Sequence, residues 1–259
     1  MKLAYEKKKR ISMGTAARSI QTYLQEGTKQ SLHNAGVIDT ALMYEELRRS
    51  YIKSNQFVEV DFRGLIDWLR LGDQLTHQIH PYPAKLLPHI AHFFIRASSL
   101  HHREQIVLDP FCGSGTVALE ASIAGCTPYV ADANPFALLL TKVKTFPYDT
   151  ERLELTANTL FKRIARFKTA PEVSIVNSHL WYKPEHKKSL EIILRAVEDL
   201  EDMHERDFFK ICFSVTARRM SQADPAVNVP VRLKTKPSRS ATENQKIQER
   251  LDWITGANA

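Results

Sequence analysis

The sequence predicts an α/β fold, a parallel sheet flanked by helices, on three observations. Two short apolar runs, Ile106-Val107-Leu108 and Pro128-Tyr129-Val130-Ala131, each end in an acid, Asp109 and Asp132. The first acid leads into a turn holding Gly113 and Gly115, and a helical stretch follows the turn. Strand, glycine turn and helix in that order form the first half of a nucleotide-binding βαβ unit of Rossmann-like type.

Elements can be assigned along the chain. Residues 1–75 read as a mainly helical N-terminal region, with Leu42, Leu47, Ile52, Leu65 and Leu69 as apolar positions between polar turns. Residues 76–220 hold the sheet and its helices. Asn134-Pro135 caps and opens a helix over 136–144. Leu153, Ala157, Leu160, Ile164 and Phe167 recur at helical spacing, as do Leu190, Ile193, Leu194, Val197 and Leu200. A third apolar helix is predicted over 208–217, and Glu172 to Val176 is predicted to be a further strand. Trp181-Tyr182 reads as a core anchor ahead of Lys183-Pro184. Residues 221–259 form a basic C-terminal segment.

The octapeptide Asp109-Pro110-Phe111-Cys112-Gly113-Ser114-Gly115-Thr116 carries the chemistry. Glycines can take positive φ and let backbone approach a ligand that a Cβ would hold away. A triphosphate-binding loop would place a lysine and a hydroxyl residue directly after the last glycine, whereas Thr116 is followed by Val117. Asp109, at the carboxyl edge of the sheet, can accept from an ammonium group or an ordered water. Asp132, about twenty residues beyond the turn, is placed to hold ribose hydroxyls. An adenosine ligand with a zwitterionic head, S-adenosylmethionine, fits best. Gly113-x-Gly115-x-x-Ala118 also satisfies a loose dinucleotide fingerprint, so NAD stays open, although Asp-Pro-Phe ahead of the first glycine is no part of that fingerprint. Asn134 and Phe136 offer an amide and a flat apolar surface for an adenine ring.

The run His80-Pro81-Tyr82-Pro83-Ala84-Lys85-Leu86-Leu87-Pro88, the turn Asp109 to Thr116 and the segment Asp132-Ala133-Asn134-Pro135 together resemble motifs X, I and II of site-specific DNA methyltransferases that modify exocyclic amino groups. The resemblance covers roughly residues 77 to 145. It implies a Rossmann-like S-adenosylmethionine-dependent methyltransferase sheet, with His80, Tyr82, Pro83, Ala84 and Lys85 across the methionine end of the cofactor. Asp109, Pro110, Phe111, Cys112, Gly113, Ser114, Gly115, Thr116, Asp132, Ala133 and Asn134 would line the rest.

The departure from that family is as informative. Its catalytic tetrapeptide is Asp, Asn or Ser followed by Pro-Pro and an aromatic; this sequence contains no Pro-Pro pair, and Ala223-Asp224-Pro225-Ala226 is a poor substitute. In a flipping enzyme the aromatic stacks on the extruded base, and the polar residue aligns its amino group with the methyl donor. The resemblance, minus this motif, implies an incomplete sheet and a split enzyme, active as a heterodimer, in which a second methyltransferase subunit supplies the remaining strands, the catalytic residues and target recognition. The alternatives are a tRNA guanine methyltransferase fragment, a dinucleotide dehydrogenase, or a non-catalytic regulator binding the cofactor or nucleic acid.

Composition agrees with these classes. The formal charge of +7 suits a phosphate-backbone partner, and double-stranded DNA is the partner the resemblance implies. Arg232, Lys234, Lys236 and Arg239, with no acid between Asp224 and Glu243, are the candidate phosphate contacts; Lys7-Lys8-Lys9-Arg10 is a second cluster. No segment has the apolar length of a membrane span, and no apolar signal core follows the basic start, so a cytoplasmic, prokaryotic or phage-encoded protein is expected. Cys112, Cys126 and Cys212 lie too far apart for a metal-ligand spacing. Cys112 reads as a packing residue rather than a nucleophile. His77, His80, His89, His92, His101 and His102 read as solvated or hydrogen-bonded side chains rather than ligands.

Overall fold

A computed structural model of the chain describes residues 39–62, 75–100, 105–224, 227, 231 and 233–257. Its elements are α1 (Ala41–Ser54), α2 (Pro88–Ile95), β1 (Ile106–Asp109), α3 (Thr116–Ile123), β2 (Thr127–Val130), α4 (Pro135–Thr145), α5 (Thr150–Arg166), α6 (Ser178–Trp181), α7 (Pro184–Glu198), α8 (Met203–Arg219) and α9 (Ala241–Ala257). They fall into two compact units, between which the chain passes after Gln74, Lys85, Asp109, Gly115 and Val130. The expected Leu65, Leu69, His101 and His102, and the Lys7–Arg10 cluster, lie outside the described residues. Among the described residues, no helix is long and apolar enough to cross a membrane.

The first unit contains α1, α2, β1, α3 and β2. β1 and β2 pair in parallel, Ile106 opposite Thr127 and Leu108 opposite Tyr129, as the two acid-ended runs predicted. Alternation of side chains along a strand sends Val107 to one face, where it packs with Ala91, Ile95, Ala121 and Cys126. The other face is different. Ile106, Leu108 and Tyr129 remain 67%, 68% and 57% exposed. Met43 and Phe93 form a second small core with Tyr44, Leu47, Val60 and Phe62. His89 and His92 on α2 are buried, not solvated; His92 Nδ1 lies 3.0 Å from Glu120 Oε2 of α3.

The second unit is built on helices with clear start signals. Asn134 caps α4 by accepting from Phe136 N–H at 3.0 Å, with Pro135 in the first turn. Asp149 accepts from Glu151 and Arg152 N–H at the start of α5, and Asp202 from His204 and Glu205 N–H at the start of α8. The apolar stripe of α5 predicted from the sequence packs as expected: Leu153, Ala157, Leu160, Ile164 and Phe167 meet Ala196, Val197, Leu200 and Phe209. A second cluster joins α4 to α8 through Leu140, Val143 and Ile211, with Ile79, Tyr82, Phe136 and Phe208 against it. Tyr148 donates to His204 C=O at 3.1 Å, and burial, then Asp207 and Asp202, push its hydroxyl up to about 12.

Glu172 to Val176 is not a strand. Its apolar residues find no sheet, and Val176 is 84% exposed. The Val173 N–H is satisfied instead by Glu191 Oε1 of α7 at 2.9 Å, so a carboxylate takes the place of a ladder.

Candidate functional site

The glycine turn, Pro110–Gly115, belongs to the second unit. Both glycines are left-handed, φ +48° at Gly113 and +71° at Gly115, but their missing side chains serve different ends. At Gly113 a Cβ would meet nothing nearer than 3.7 Å, so only its φ demands glycine. At Gly115 a Cβ would lie 2.6 Å from Thr141 Oγ1 and 2.9 Å from Thr141 Cα, so the space belongs to α4 and not to a ligand. Phe111 is 86% exposed, while Cys112, Ser114 and Gly115 are buried.

Asp132 secures the turn. Its Oδ2 accepts from Gly113 N–H at 2.9 Å and its Oδ1 from Asn134 N–H at 2.8 Å. These bonds, Asn134 first and Gly113 second, hold its carboxyl below the ordinary carboxylate range. Each oxygen keeps an accepting lone pair on a half-buried side chain. The Cys112 N–H donates to Ala131 C=O at 3.0 Å, which ties the same two segments together again. Asn134 reaches the other way, donating from Nδ2 to Tyr82 Oη at 3.3 Å.

The segment Leu75–Lys85 is thereby joined to the same unit. The Tyr82 ring stacks parallel to Phe136 at 6.5 Å, and His80 meets Phe136 edge-on at 5.0 Å. His80 Nε2 lies 3.2 Å from Ser214 Oγ of α8. Burial, then the charges of Lys85 and Arg218, lower the His80 pKa below its ordinary 6.5, so the ring is neutral at pH 7. Lys85 donates to His77 C=O at 3.2 Å, and its own pKa is lowered by burial. Ala84 occupies the left-handed region at φ +53°, a conformation that costs a non-glycine residue on the order of 1–2 kcal/mol.

Helix α4 backs the turn. Thr141 donates to the buried Cys112 Sγ at 3.4 Å, consistent with a packing cysteine. One turn further along, Lys144 Nζ donates to Ser114 C=O at 2.8 Å, and the C=O of Lys144 accepts from Thr76 Oγ1 at 2.7 Å. Thr141, Lys144 and Ser214 were not among the sequence-derived candidates. A signal existed: Ala137, Leu140, Thr141 and Lys144 share the buried stripe of α4, and a lysine on an apolar stripe needs a buried acceptor.

The remaining candidates are placed as follows. Asp109 closes β1 and Thr116 opens α3, both in the first unit. Pro110 and Ala133 are exposed and Pro83 half-buried. Arg232 lies outside the described residues. Lys234, Lys236 and Arg239 are exposed on a segment held to α9 by Asn244, which accepts from Lys236 N–H at 3.0 Å and donates to Lys236 C=O at 2.8 Å. Among the described residues, no three histidines, cysteines or acids converge on a metal position.

Residues 78–167 match the family described as RMKL-like, methyltransferase domain. The chain is 28% identical over 158 residues to the type II methyltransferase M.MvaI of Kocuria varians, covering 57% of this chain and 35% of that protein. It is 33% identical over 134 residues to the type II methyltransferase M.MjaII of Methanocaldococcus jannaschii, covering 49% of this chain and 25% of that one. The match thus spans only about a third and a quarter of the length of these two relatives. No solved structure matches. The region holding the glycine turn, Asp132 and Tyr82 is therefore the part of this mixed α/β chain that is similar in sequence to a methyltransferase domain.

Proposed function

We propose that this chain is the S-adenosylmethionine-binding subunit of a DNA methyltransferase acting on an exocyclic amino group of adenine or cytosine. The observation that carries the reading is the Asp132 carboxylate, which binds Gly113 N–H and Asn134 N–H on one side and still has lone pairs free to accept from the two ribose hydroxyls. The backbone at Gly113, bare of any Cβ, suits close approach of the cofactor beside it. Tyr82 and the other residues of Leu75–Lys85 would border its methionine end. S-adenosylmethionine would supply the methyl group, its carbon–sulfur bond breaking to leave a neutral thioether as the carbon–nitrogen bond forms and the acceptor nitrogen releases one proton to water. This chain's residues bind and orient the donor, and the base would be presented by an Asp-, Asn- or Ser-Pro-Pro-aromatic segment that this sequence lacks.

A second polypeptide is the proposed source of that segment and of the missing strands. Its support is the bare sheet face: parallel sheets are ordinarily covered on both sides, yet Ile106, Leu108 and Tyr129 lie open. Lys234, Lys236 and Arg239, with Arg232, are the proposed contacts to double-stranded DNA.

Calorimetry tests the cofactor reading. Asp132→Ala should weaken S-adenosylmethionine binding by about 1–3 kcal/mol, the cost of stranding buried polar partners. Unchanged affinity in that variant, or tighter binding of NAD than of S-adenosylmethionine by the unaltered chain, would sink it. Co-purification from the native source tests the partner: methylation should appear only when a chain bearing Pro-Pro-aromatic is present, and methylation by this chain alone would refute the split arrangement.

A further inference from the structure

We infer that Lys144 is a positioning residue for the cofactor turn, setting the Ser114–Gly115 peptide from beneath; the inference rests on the proposal that this turn binds S-adenosylmethionine. Lys144 is only 2% exposed. Placing an ammonium there is costly unless buried acceptors repay the lost hydration, and a main-chain carbonyl of the turn is one of them, Ser114 C=O at 2.8 Å. The carbonyl and the N–H of one trans peptide point in opposite directions. With the carbonyl drawn to Lys144, the Gly115 N–H faces Cys112 C=O, where it donates at 2.7 Å. Both ends of that peptide are thus fixed, and the turn cannot flip it.

The helix that carries Lys144 is itself tied to the same turn. Its cap residue, Asn134, gives its N–H to Asp132, whose other oxygen holds Gly113 N–H. Thr141 closes the space above Gly115, and Thr76 holds the Lys144 carbonyl. A glycine-rich turn gains two rotatable residues and loses much entropy on ordering. Lys144 supplies the order before the ligand arrives, which is how preorganisation raises affinity.

The test uses the full chain. Lys144→Met keeps the stem and removes the donor; S-adenosylmethionine affinity should fall at least about tenfold, in line with loss of a charge-assisted hydrogen bond. The backbone amide resonances of Gly113 and Gly115 should move in the same variant without cofactor. Those resonances separate the two claims: if the unaltered chain binds no S-adenosylmethionine the functional proposal fails, and the Gly115 amide still reports whether Lys144 sets the peptide. Should the methionine variant not fold, Lys144→Ala with added n-propylamine decides, because a small ammonium can occupy the vacated space. Recovery of the Gly115 resonance or of binding by the amine, and not by sodium chloride at equal ionic strength, is expected. Unmoved glycine amides with unaltered affinity in Lys144→Met, or no recovery by the amine, would overturn the inference.

Discussion

A missing methyl group can matter for two unlike reasons, and the two glycines of the turn separate them. Gly113→Ala meets only the left-handed backbone penalty, on the order of 1–2 kcal/mol. Gly115→Ala adds a collision with the Thr141 backbone, so it should destabilise by clearly more, on the order of 3 kcal/mol or above. Urea unfolding of the two variants ranks them, and equal losses would contradict the packing role of Gly115. His80 gives a pH signature. Its folded-state pKa is lowered, so its contribution is complete above the ordinary value of 6.5 and is lost as pH falls from there toward the folded value, because only the unfolded chain gains the proton readily. Replacing His80 by Gln should flatten the stability profile between pH 6.5 and the acid side; a slope unchanged by the substitution would show that the titration belongs elsewhere. Asp132 follows the same sign in a more acidic window: with its pKa lowered by the two N–H groups, its stabilising contribution is complete above 3.8 and is lost as pH falls from there toward the folded value.

Helix α8 is the element on which the second unit turns, because Ile211 is fully buried against Leu140 and Val143 of α4 while Phe209 faces the α5 and α7 cluster. Ile211→Ala should cost about 2–5 kcal/mol, the range for opening a cavity in a packed core, measured as a lowered urea midpoint at unchanged slope. A loss below about 1 kcal/mol would mean that the interface collapses to fill the space. The start of α4 was legible from its Asn134-Pro135 cap, and α5, α7 and part of α8 from their apolar spacing, whereas the Asp149 and Asp202 caps that begin α5 and α8 came to light only in the structure. The two strands were legible from their acid ends. Glu172 to Val176 misled because a short apolar run satisfies strand spacing without naming a partner, and Glu191 on a helix took the donor that a ladder would have used. Of the site, Asp132 and the glycines could be read from spacing. Lys144, Thr141 and Ser214 could not, since their acceptors lie far away in sequence and only the packing of α4 and α8 brings them together.

Across the whole molecule, charge and exposed apolar surface make separate predictions. If Lys234, Lys236 and Arg239 contact phosphates, neutralising them together with Arg232 should weaken binding to all duplex sequences alike and flatten the dependence of log affinity on log salt. A full slope in that variant would mean that the segment is merely solvated. The open sheet face predicts poor behaviour in isolation. Ile106, Leu108 and Tyr129 together present apolar surface on a sheet that has two strands among the described residues, which favours self-association. Replacing Ile106 and Leu108 by Thr should raise the solubility of the chain alone and abolish assembly with the proposed second polypeptide. Monomeric behaviour of the unaltered chain at high concentration would count against a covered face.

Interleaving of the two compact units constrains how the chain is made. Leu75–Lys85 and Pro110–Gly115 leave the ribosome before the residues that hold them, and His80 waits 134 positions for Ser214. Closing so long a span is entropically slow even where the final bond is good. A nascent chain stalled before α8 therefore carries the glycine turn with α4 behind it while His80 still lacks Ser214, and β1 and β2 of the first unit are already made. Cleavage anywhere between residues 86 and 130 would strip pieces from both units at once, so truncation cannot isolate either one intact.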